Sequence, residues 1–241
     1  MKLRIADINV EICHRYPYLE RLCRDYRADF EHADLTVNVT DREIAREQKN
    51  YPAGSEPTSG YAEAVCAYRR ICLELPRFDA FLLHAAVVEH QGCAYAFAAP
   101  SGTGKSTHAA LWQSVFGAAA RILNGDKPIL RFIGDRLLAF GTPWCGKEGW
   151  NVNDSAPLAA ICFLERGAVN RIRPIADGET VGRLFGQLLM PTEQTCRERF
   201  LTLLDRTVRE IPAYLLTCNT QPQAATVAYE GMKKGESHDS Q

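Results

Sequence analysis

Long apolar runs are missing from this sequence. No stretch approaches the ~18 apolar residues that a membrane-spanning helix needs, and charges interrupt the apolar positions of residues 1–17, unlike those of a secretory signal. A charge bias is missing as well, because the formal net charge is −1, so no global field attracts nucleic acid or an anionic membrane. We therefore expect a cytoplasmic protein with neither a nucleic-acid nor a membrane partner.

Paired cysteine motifs are also absent. The chain has 9 cysteines at scattered spacings, and no two of them form a C-x-x-C pair. An odd, scattered set argues against a disulfide framework and against a zinc site. Six of the cysteines lie in apolar runs, which predicts buried free thiols in a reducing compartment.

The chain of 241 residues is long enough for one sizeable domain, or for a core with a small addition. Its first part has strand-like alternation at 3–13 and 35–39, a helix capping box at Thr40–Glu43, a Pro-, Gly- and Ser-rich loop at 50–60, and helical spacing at 61–75. We predict an accessory α/β region at 1–77, a core at 78–232 and a flexible polar tail at 233–241.

Tightly joined strands characterise the predicted core. Residues 81–88 and 93–98 are apolar enough for two buried strands, and only a short turn at 90–92 separates them, so they must be antiparallel neighbours. Residues 129–133 and 137–140 carry a second hairpin signal. Further strands are predicted at 158–164 and 214–218, and helices at 107–116, 180–189, 193–209 and 223–233. The pattern predicts a mixed, largely antiparallel α/β (α+β) core rather than a Rossmann-type sheet.

The clearest chemical motif follows the strand at 93–98. The segment Ser101-Gly102-Thr103-Gly104-Lys105-Ser106-Thr107 fits the phosphate-binding pattern G-x-x-x-x-G-K-[ST], in which small residues turn backbone N–H groups and a helix N-terminus towards phosphate. Lys105 would bind the β- and γ-phosphates, and the Ser106 hydroxyl would bind Mg²⁺. Ala99 replaces the first glycine of the pattern and would be strained if that position required a positive φ. The alternative is an ordinary glycine turn before a helix.

Two titratable residues are candidates to act beside the phosphates. Asp126 follows a short apolar strand about twenty residues after Lys105, a position that suits an acid holding Mg²⁺. Its alternative is a plain Asn-Gly-Asp turn. His84 lies within the apolar segment 81–88, where a histidine is either a hydrogen-bonded core residue or a site residue.

A second glycine-rich loop spans residues 141–150 and contains Trp144, Lys147 and Trp150. Large aromatic residues on such a loop often contact a ligand or a partner, which makes Trp144 and Lys147 candidates for a substrate loop. The alternative is a loop held in place by core tryptophans.

Taken together, the hairpin with His84, the loop APSGTGKST and the acid within NGDKP resemble the HPr kinase/phosphorylase superfamily, which shares its nucleotide core with phosphoenolpyruvate carboxykinases. The resemblance extends to short HPr-kinase-like proteins, with which the chain shares LLHAAVV, PSGTGKST, NGDKP, GTPW-x-GK and PLAAICFLERG. The resemblance covers residues 80–175 well. It implies a compact carboxykinase-like core, a homo-oligomer, and ATP- and Mg²⁺-dependent phosphorylation of a serine hydroxyl.

By position, the resemblance implies nucleotide and Mg²⁺ roles for Lys105 and Ser106. It implies a place near the phosphates for His84, and metal binding and hydroxyl activation for Asp126. The chain departs from the family where an acidic pair becomes Gly125-Asp126, so that either Asp126 serves both metal binding and base catalysis or another acid contributes. It also has no clear counterpart of the arginine-glycine-asparagine loop of HPr kinases, which makes HPr a doubtful acceptor.

The sequence therefore predicts a kinase that transfers the γ-phosphoryl group of ATP to a hydroxyl of a protein, peptide or small molecule. One alternative is a nucleotide-binding regulatory protein or ATPase with little phosphotransfer. A second is nucleotide-linked decarboxylation of oxaloacetate, for which this chain is short and has little room for additional basic substrate residues.

Overall fold

The structure is a computed structural model and describes residues 1–233. The strands are β1 (Lys2–Ile5), β2 (Ile8–Cys13), β3 (Leu35–Asn38), β4 (Ala80–Leu82), β5 (Ala85–His90), β6 (Cys93–Ala98), β7 (Ala120–Asn124), β8 (Ile129–Ile133), β9 (Arg136–Phe140), β10 (Ser155–Arg166), β11 (Arg171–Pro174) and β12 (Ala213–Cys218). The helices are α1 (Pro17–Leu22), α2 (Asp41–Gln48), α3 (Ser59–Glu74), α4 (Lys105–Phe116), α5 (Asp177–Phe185), α6 (Gln194–Glu210) and α7 (Gln223–Lys233). Apart from Lys233, the predicted tail lies outside the described residues.

The first part of the chain forms a small sheet of order β1-β2-β3 with α2 and α3 packed together beside it. The capping box before α2 is confirmed, because the Thr40 and Glu43 side chains each accept from the other residue's backbone N–H. The single strand predicted at 3–13 is wrong. Ala6 and Asp7 both adopt positive φ, at 51° and 57°, and turn the segment into the β1–β2 hairpin.

The second part forms a mixed sheet of order β4-β8-β9-β10-β6-β5-β7, to which β12 adds beside β10 and β11 adds beside β12. The predicted hairpins are confirmed as the antiparallel pairs β5–β6 and β8–β9. Two pairs, β6–β10 and β10–β12, are parallel. A mixed α/β sheet is therefore confirmed, and the strand that leads into the glycine-rich segment 101–107 has an antiparallel neighbour on one side and a parallel neighbour on the other.

Residues 81–88, predicted as one strand, form two strands with a break at Leu83 and His84. β4 pairs with β8, whereas β5 pairs with β6 and β7. At the break, the Leu83 N–H donates to the Pro128 carbonyl (3.3 Å) and the His84 N–H donates to the Gln187 carbonyl (2.8 Å). The prediction of a continuous strand is wrong, because residues distant in the sequence satisfy the backbone here.

The helix predicted at 180–189 is displaced towards its N-terminus. α5 runs from Asp177 to Phe185, and Leu188 instead forms an isolated bridge with Leu83. The Gln187 carbonyl also accepts a hydrogen bond from the His84 N–H at the break in the strand. The end of this segment is therefore determined by a long-range contact rather than by helical periodicity.

Apolar clusters cover both faces of the large sheet. α5 and α6 contribute to one cluster, and α4 and α7 contribute to the other. A third cluster fills the first part of the chain and includes Ile129, Phe140 and Trp144 from the second part. Of the nine thiols, all are free, and six are buried, as predicted for apolar runs. No helix within residues 1–233 is long and apolar enough to cross a membrane.

Candidate active site

The glycine loop leads directly from β6 into α4. Gly102 and Gly104 have φ of 79° and 126°, conformations that a residue with a Cβ rarely adopts. Ala99, in contrast, is not among the described residues with positive φ. The alanine is therefore unstrained, and the carbonyl of Ala99 has a role of its own, because it accepts a hydrogen bond of 2.8 Å from Nζ of Lys105.

The helix α4 is held firmly behind this loop. Trp112 is completely buried and contacts the rings of Tyr95, Phe97, Phe116 and Tyr229. Since α4 begins at Lys105, its N-terminal N–H groups and the positive end of its dipole lie at the loop. A helix fixed in this way offers an anion a preformed site.

Lys105 lies at the centre of the site and is only 7% exposed. Burial lowers the pKa of its ammonium group, whereas the charge of Asp126 raises it. The hydrogen bond to Ala99 leaves the amine with further donors. A buried cation with spare donors is well suited to hold phosphate oxygens.

Asp126 is presented by a turn that Asn124 organises. The Asn124 side-chain oxygen accepts from the N–H of Asp126 (2.9 Å) and of Lys127 (2.6 Å), while its amide nitrogen donates to the Thr142 carbonyl (3.0 Å). The predicted alternatives, a plain turn and a site residue, are therefore compatible. The turn fixes the backbone, and Asp126 lines the cleft beside the loop.

His84 and Lys127 both bind the carboxylate of Asp126. Nε2 of His84 lies 3.0 Å from Oδ1, and Nζ of Lys127 donates to Oδ2. Burial alone would raise the pKa of Asp126, but these two hydrogen bonds outweigh it and hold the pKa well below its usual range. Asp126 is thus a permanently ionised group at physiological pH, and His84 positions it.

The loop after β9 packs closely against Gly125. The Gly125 N–H donates to the Trp150 carbonyl (2.9 Å), and a Cβ on Gly125 would lie 2.9 Å from the Cys145 carbonyl oxygen. An acidic side chain at position 125 would therefore collide with this loop.

The same loop brings a different carboxylate, Glu148, to the cleft. A Cβ built on Gly146 would lie 3.2 Å from Cβ of Asp126 and 3.6 Å from Oε2 of Glu148, so the two acids flank the same point. Sequence analysis did not single out Glu148. The available signal was its place as the one acid within the glycine-rich loop 141–150.

Trp144 and Lys147 occupy different environments. The Trp144 ring is buried, stacks on Tyr68 with ring centroids 4.2 Å apart, and donates from Nε1 to the Ala64 carbonyl (3.1 Å). The structure therefore places Trp144 in the core, in line with the alternative of a loop held by a core tryptophan. The side chain of Lys147 is 91% exposed at the cleft.

These elements enclose a cleft of about 430 Å³. The sequence-predicted residues that line it are Ser101, Gly102, Gly104, Lys105, Ser106, Thr107, Asp126 and Lys147, and Gly146 and Glu148 join them. Thr103, His84 and Trp144 do not line it. The structure thus brings both halves of the predicted site together across one cleft.

Arg166, at the end of β10, is a further residue that sequence analysis missed. Its Nε donates to the Thr103 carbonyl (3.1 Å) and its Nη2 donates to the Gly102 carbonyl. These bonds engage carbonyl oxygens of the loop, so they support the conformation in which its N–H groups can turn towards an anion. No local motif identifies such a residue, because its partners lie more than 60 positions away.

The donor set of the cleft fits Mg²⁺ bound together with nucleotide phosphates. Mg²⁺ in such sites takes one or two protein carboxylates along with phosphate oxygens and waters. The cleft supplies the Ser106 hydroxyl and the carboxylates of Asp126 and Glu148. Within residues 1–233, no group of three or more His, Cys, Asp or Glu side chains is placed to hold a metal ion.

Comparison with known proteins gives a distant structural similarity. No protein-family model matches the sequence, and no curated protein matches it. Among solved structures, the chain is similar to the Hpr(Ser) kinase/phosphatase from Coxiella burnetii, with 11% sequence identity, a TM-score of 0.38, and coverage of 64% of this chain and 98% of that chain.

Proposed function

We propose that this protein is an ATP- and Mg²⁺-dependent kinase that transfers the γ-phosphoryl group of ATP to a hydroxyl of a protein, peptide or small molecule. The observation that carries the proposal is the cleft itself. On one wall stand the glycine loop, the α4 N-terminus and the buried Lys105, and on the other stand Asp126 and Glu148. Phosphoryl transfer requires such positioning and charge stabilisation more than covalent chemistry by the protein.

In the transfer, the acceptor oxygen forms a bond to the γ-phosphorus as the bond to the bridging oxygen breaks. The electron pair of the broken bond stays on the β-phosphate of ADP, and the acceptor hydroxyl releases its proton. Lys105 and the loop N–H groups stabilise the charge on the transferring group. Mg²⁺, held by Ser106 and Asp126, would neutralise charge on the phosphates.

The two carboxylates would divide the remaining work. Asp126 was predicted to serve both the metal and the hydroxyl proton. The hydrogen bonds from His84 and Lys127 lower the pKa of Asp126, so its carboxylate is a weak base that stays ionised. We therefore assign metal binding to Asp126 and the hydroxyl proton to Glu148, which lies beside it on the same wall of the cleft.

The decisive experiment follows label from γ-labelled ATP in the wild type and in Lys105→Met. Serine- and threonine-containing peptides and small hydroxyl compounds serve as acceptors, and Lys49→Met, an exposed lysine on the first part of the chain, is the control. We expect labelled acceptor with the wild type and the control, and none with Lys105→Met. Full labelling by Lys105→Met would refute the kinase assignment. Label released only as free phosphate would indicate an ATPase, and binding without turnover a regulatory protein.

Replacing Glu148 by Gln tests the division of roles. We expect kcat to fall by about 10²–10⁴, the usual contribution of a general base, while the affinity for MgATP stays within about twofold because the phosphate-binding residues are intact. Asp126→Asn, in contrast, should weaken Mg²⁺-dependent ATP binding. An unchanged kcat in Glu148→Gln would show that Glu148 is not the general base and would assign this role to Asp126 instead.

A further inference from the structure

A second cleft, of about 470 Å³, lies on the other side of the glycine loop. The parallel strands β10 and β12 end at this cleft, and the loop that follows their parallel neighbour β6 also lines it. Ligands of α/β proteins commonly bind at the carboxyl ends of parallel strands. Its lining includes Gly104 and Thr107, which also line the cleft with Lys105 and Asp126. One ligand bound over the α4 N-terminus can therefore enter both clefts.

The side chains that line the second cleft carry little charge that is not already paired. Leu111 of α4 lines the cleft together with Leu164 and Cys218, which come from the ends of β10 and β12. The two charged residues of the lining are engaged elsewhere. Glu165 accepts from Nη1 of Arg183 (2.9 Å), and Arg166 donates to the glycine loop. Such walls suit an apolar, neutral group rather than another phosphate.

His108 supplies a buried hydrogen-bond donor at this cleft. It is 2% exposed, and its Nε2 accepts from Nε1 of Trp112 at 3.1 Å. Trp Nε1 can only donate, so the proton of the neutral imidazole must reside on Nδ1. Within residues 1–233, Nδ1 has no hydrogen-bond partner. A buried N–H without an acceptor costs free energy, so a ligand atom that accepts a hydrogen bond from Nδ1 would be bound favourably.

We propose that the nucleoside half of ATP occupies this second cleft, with the base between Leu111 and Cys218 and with Nδ1–H of His108 donating to a nucleoside oxygen or nitrogen. The inference rests on the kinase proposal, because it assumes that the triphosphate lies over the glycine loop. It adds the site that distinguishes a nucleotide from a bare polyphosphate. His108 thereby becomes a ligand-binding residue rather than a packing residue of α4.

The test compares Mg²⁺-dependent binding of ATP with binding of inorganic tripolyphosphate, which has no nucleoside, by isothermal titration calorimetry. Thr220→Trp places a large side chain at the mouth of the second cleft from an exposed position. Thr202→Trp, on an exposed face of α6 and outside both clefts, is the matched control. We expect Thr220→Trp to weaken the affinity for ATP at least about tenfold and to leave the affinity for tripolyphosphate within about twofold of the wild type. The control variant should change neither affinity.

Two variants of His108 test the donor itself. His108→Gln keeps an acceptor for Trp112 but loses the donor at the Nδ1 position, whereas His108→Asn keeps a donor there. We expect His108→Gln to weaken the affinity for ATP about tenfold and to leave the affinity for tripolyphosphate unchanged. His108→Asn should bind ATP more tightly than His108→Gln does, because it keeps the donor.

The outcomes separate this inference from the proposed function. If Lys105→Ala weakens both ligands but Thr220→Trp weakens neither, the nucleoside lies elsewhere, and the inference fails while the phosphate site stands. If Lys105→Ala weakens neither ligand, the phosphate site itself is wrong. Equal losses of ATP and tripolyphosphate in Thr220→Trp or in His108→Gln would also overturn the inference.

Discussion

Burial controls the charge of His108 at the scale of the single residue. Burial lowers the pKa of this imidazole to about 4, while in the unfolded chain the pKa returns to about 6.5. Between these values the unfolded chain binds a proton that the native protein excludes. Stability must therefore fall as the pH drops from 6.5 towards 4, and it is fully retained above pH 6.5.

We predict that His108→Gln removes this component of the pH dependence. The difference in free energy of unfolding between wild type and variant should shrink by about 2 kcal/mol between pH 7 and pH 5. Urea denaturation at the two pH values measures it. Parallel changes in the two proteins would show that His108 is not kept neutral by the fold.

Close packing between a turn and a loop decides the chemistry at the scale of the element. The turn after β7 and the loop 145–150 meet at Gly125, where a Cβ would lie 2.9 Å from the Cys145 carbonyl oxygen and 3.6 Å from Cβ of Trp150. Because the loop occupies this space, it can carry Glu148 to the cleft. The loop that leaves no room for a side chain at position 125 is thus the loop that supplies Glu148.

We predict that Gly125→Ala destabilises the protein by about 1–3 kcal/mol, the usual cost of overpacking, and also lowers phosphotransfer by displacing Glu148. Gly182→Ala is the matched control, because nothing lies within 4 Å of its Cβ and it is an exposed position of α5. The control should be neutral or stabilising by up to about 1 kcal/mol. Thermal denaturation and the labelling assay measure both effects, and equal behaviour of the two variants would contradict the steric argument.

The first part of the chain supports the site at the scale of the whole molecule. The Tyr68 hydroxyl of α3 donates to the Lys127 carbonyl (2.8 Å), directly after Asp126, and Trp144 donates to the Ala64 carbonyl of the same helix. The apolar cluster of the first part also includes Ile129 and Phe140. The domain boundary at residue 77 remains a prediction, but these contacts cross it.

We predict that residues 78–233 alone do not form an active, monodisperse protein. Removing residues 1–77 exposes Ile129, Phe140 and Trp144 and deprives Lys127 of the Tyr68 bond, and large exposed apolar patches promote association. Size-exclusion chromatography, thermal denaturation and ATP binding test this. A monomeric fragment with the melting temperature and ATP affinity of the full chain would show that the first part is dispensable.

Local patterns were sufficient for much of the architecture and for one wall of the site. The capping box at Thr40, the β5–β6 and β8–β9 hairpins and the segment 101–107 depend on neighbours within a few positions, so their sequence signals survive in the structure. The prediction of Asp126 as a site residue was also based on a local pattern, because a strand end followed by a polar turn is a short-range signal.

Only the tertiary structure decided the rest of the site. The break at His84, the packing of Trp144, the approach of Glu148 and the orphan donor of His108 each depend on partners far away in the chain. The parallel pairing of β6 with β10 and β12 is of the same kind. Sequence alone thus determined that the chain carries a glycine loop directly before a helix N-terminus, because backbone conformation is local. Which acid faces that loop, and which cleft adjoins it, depend on how distant segments pack.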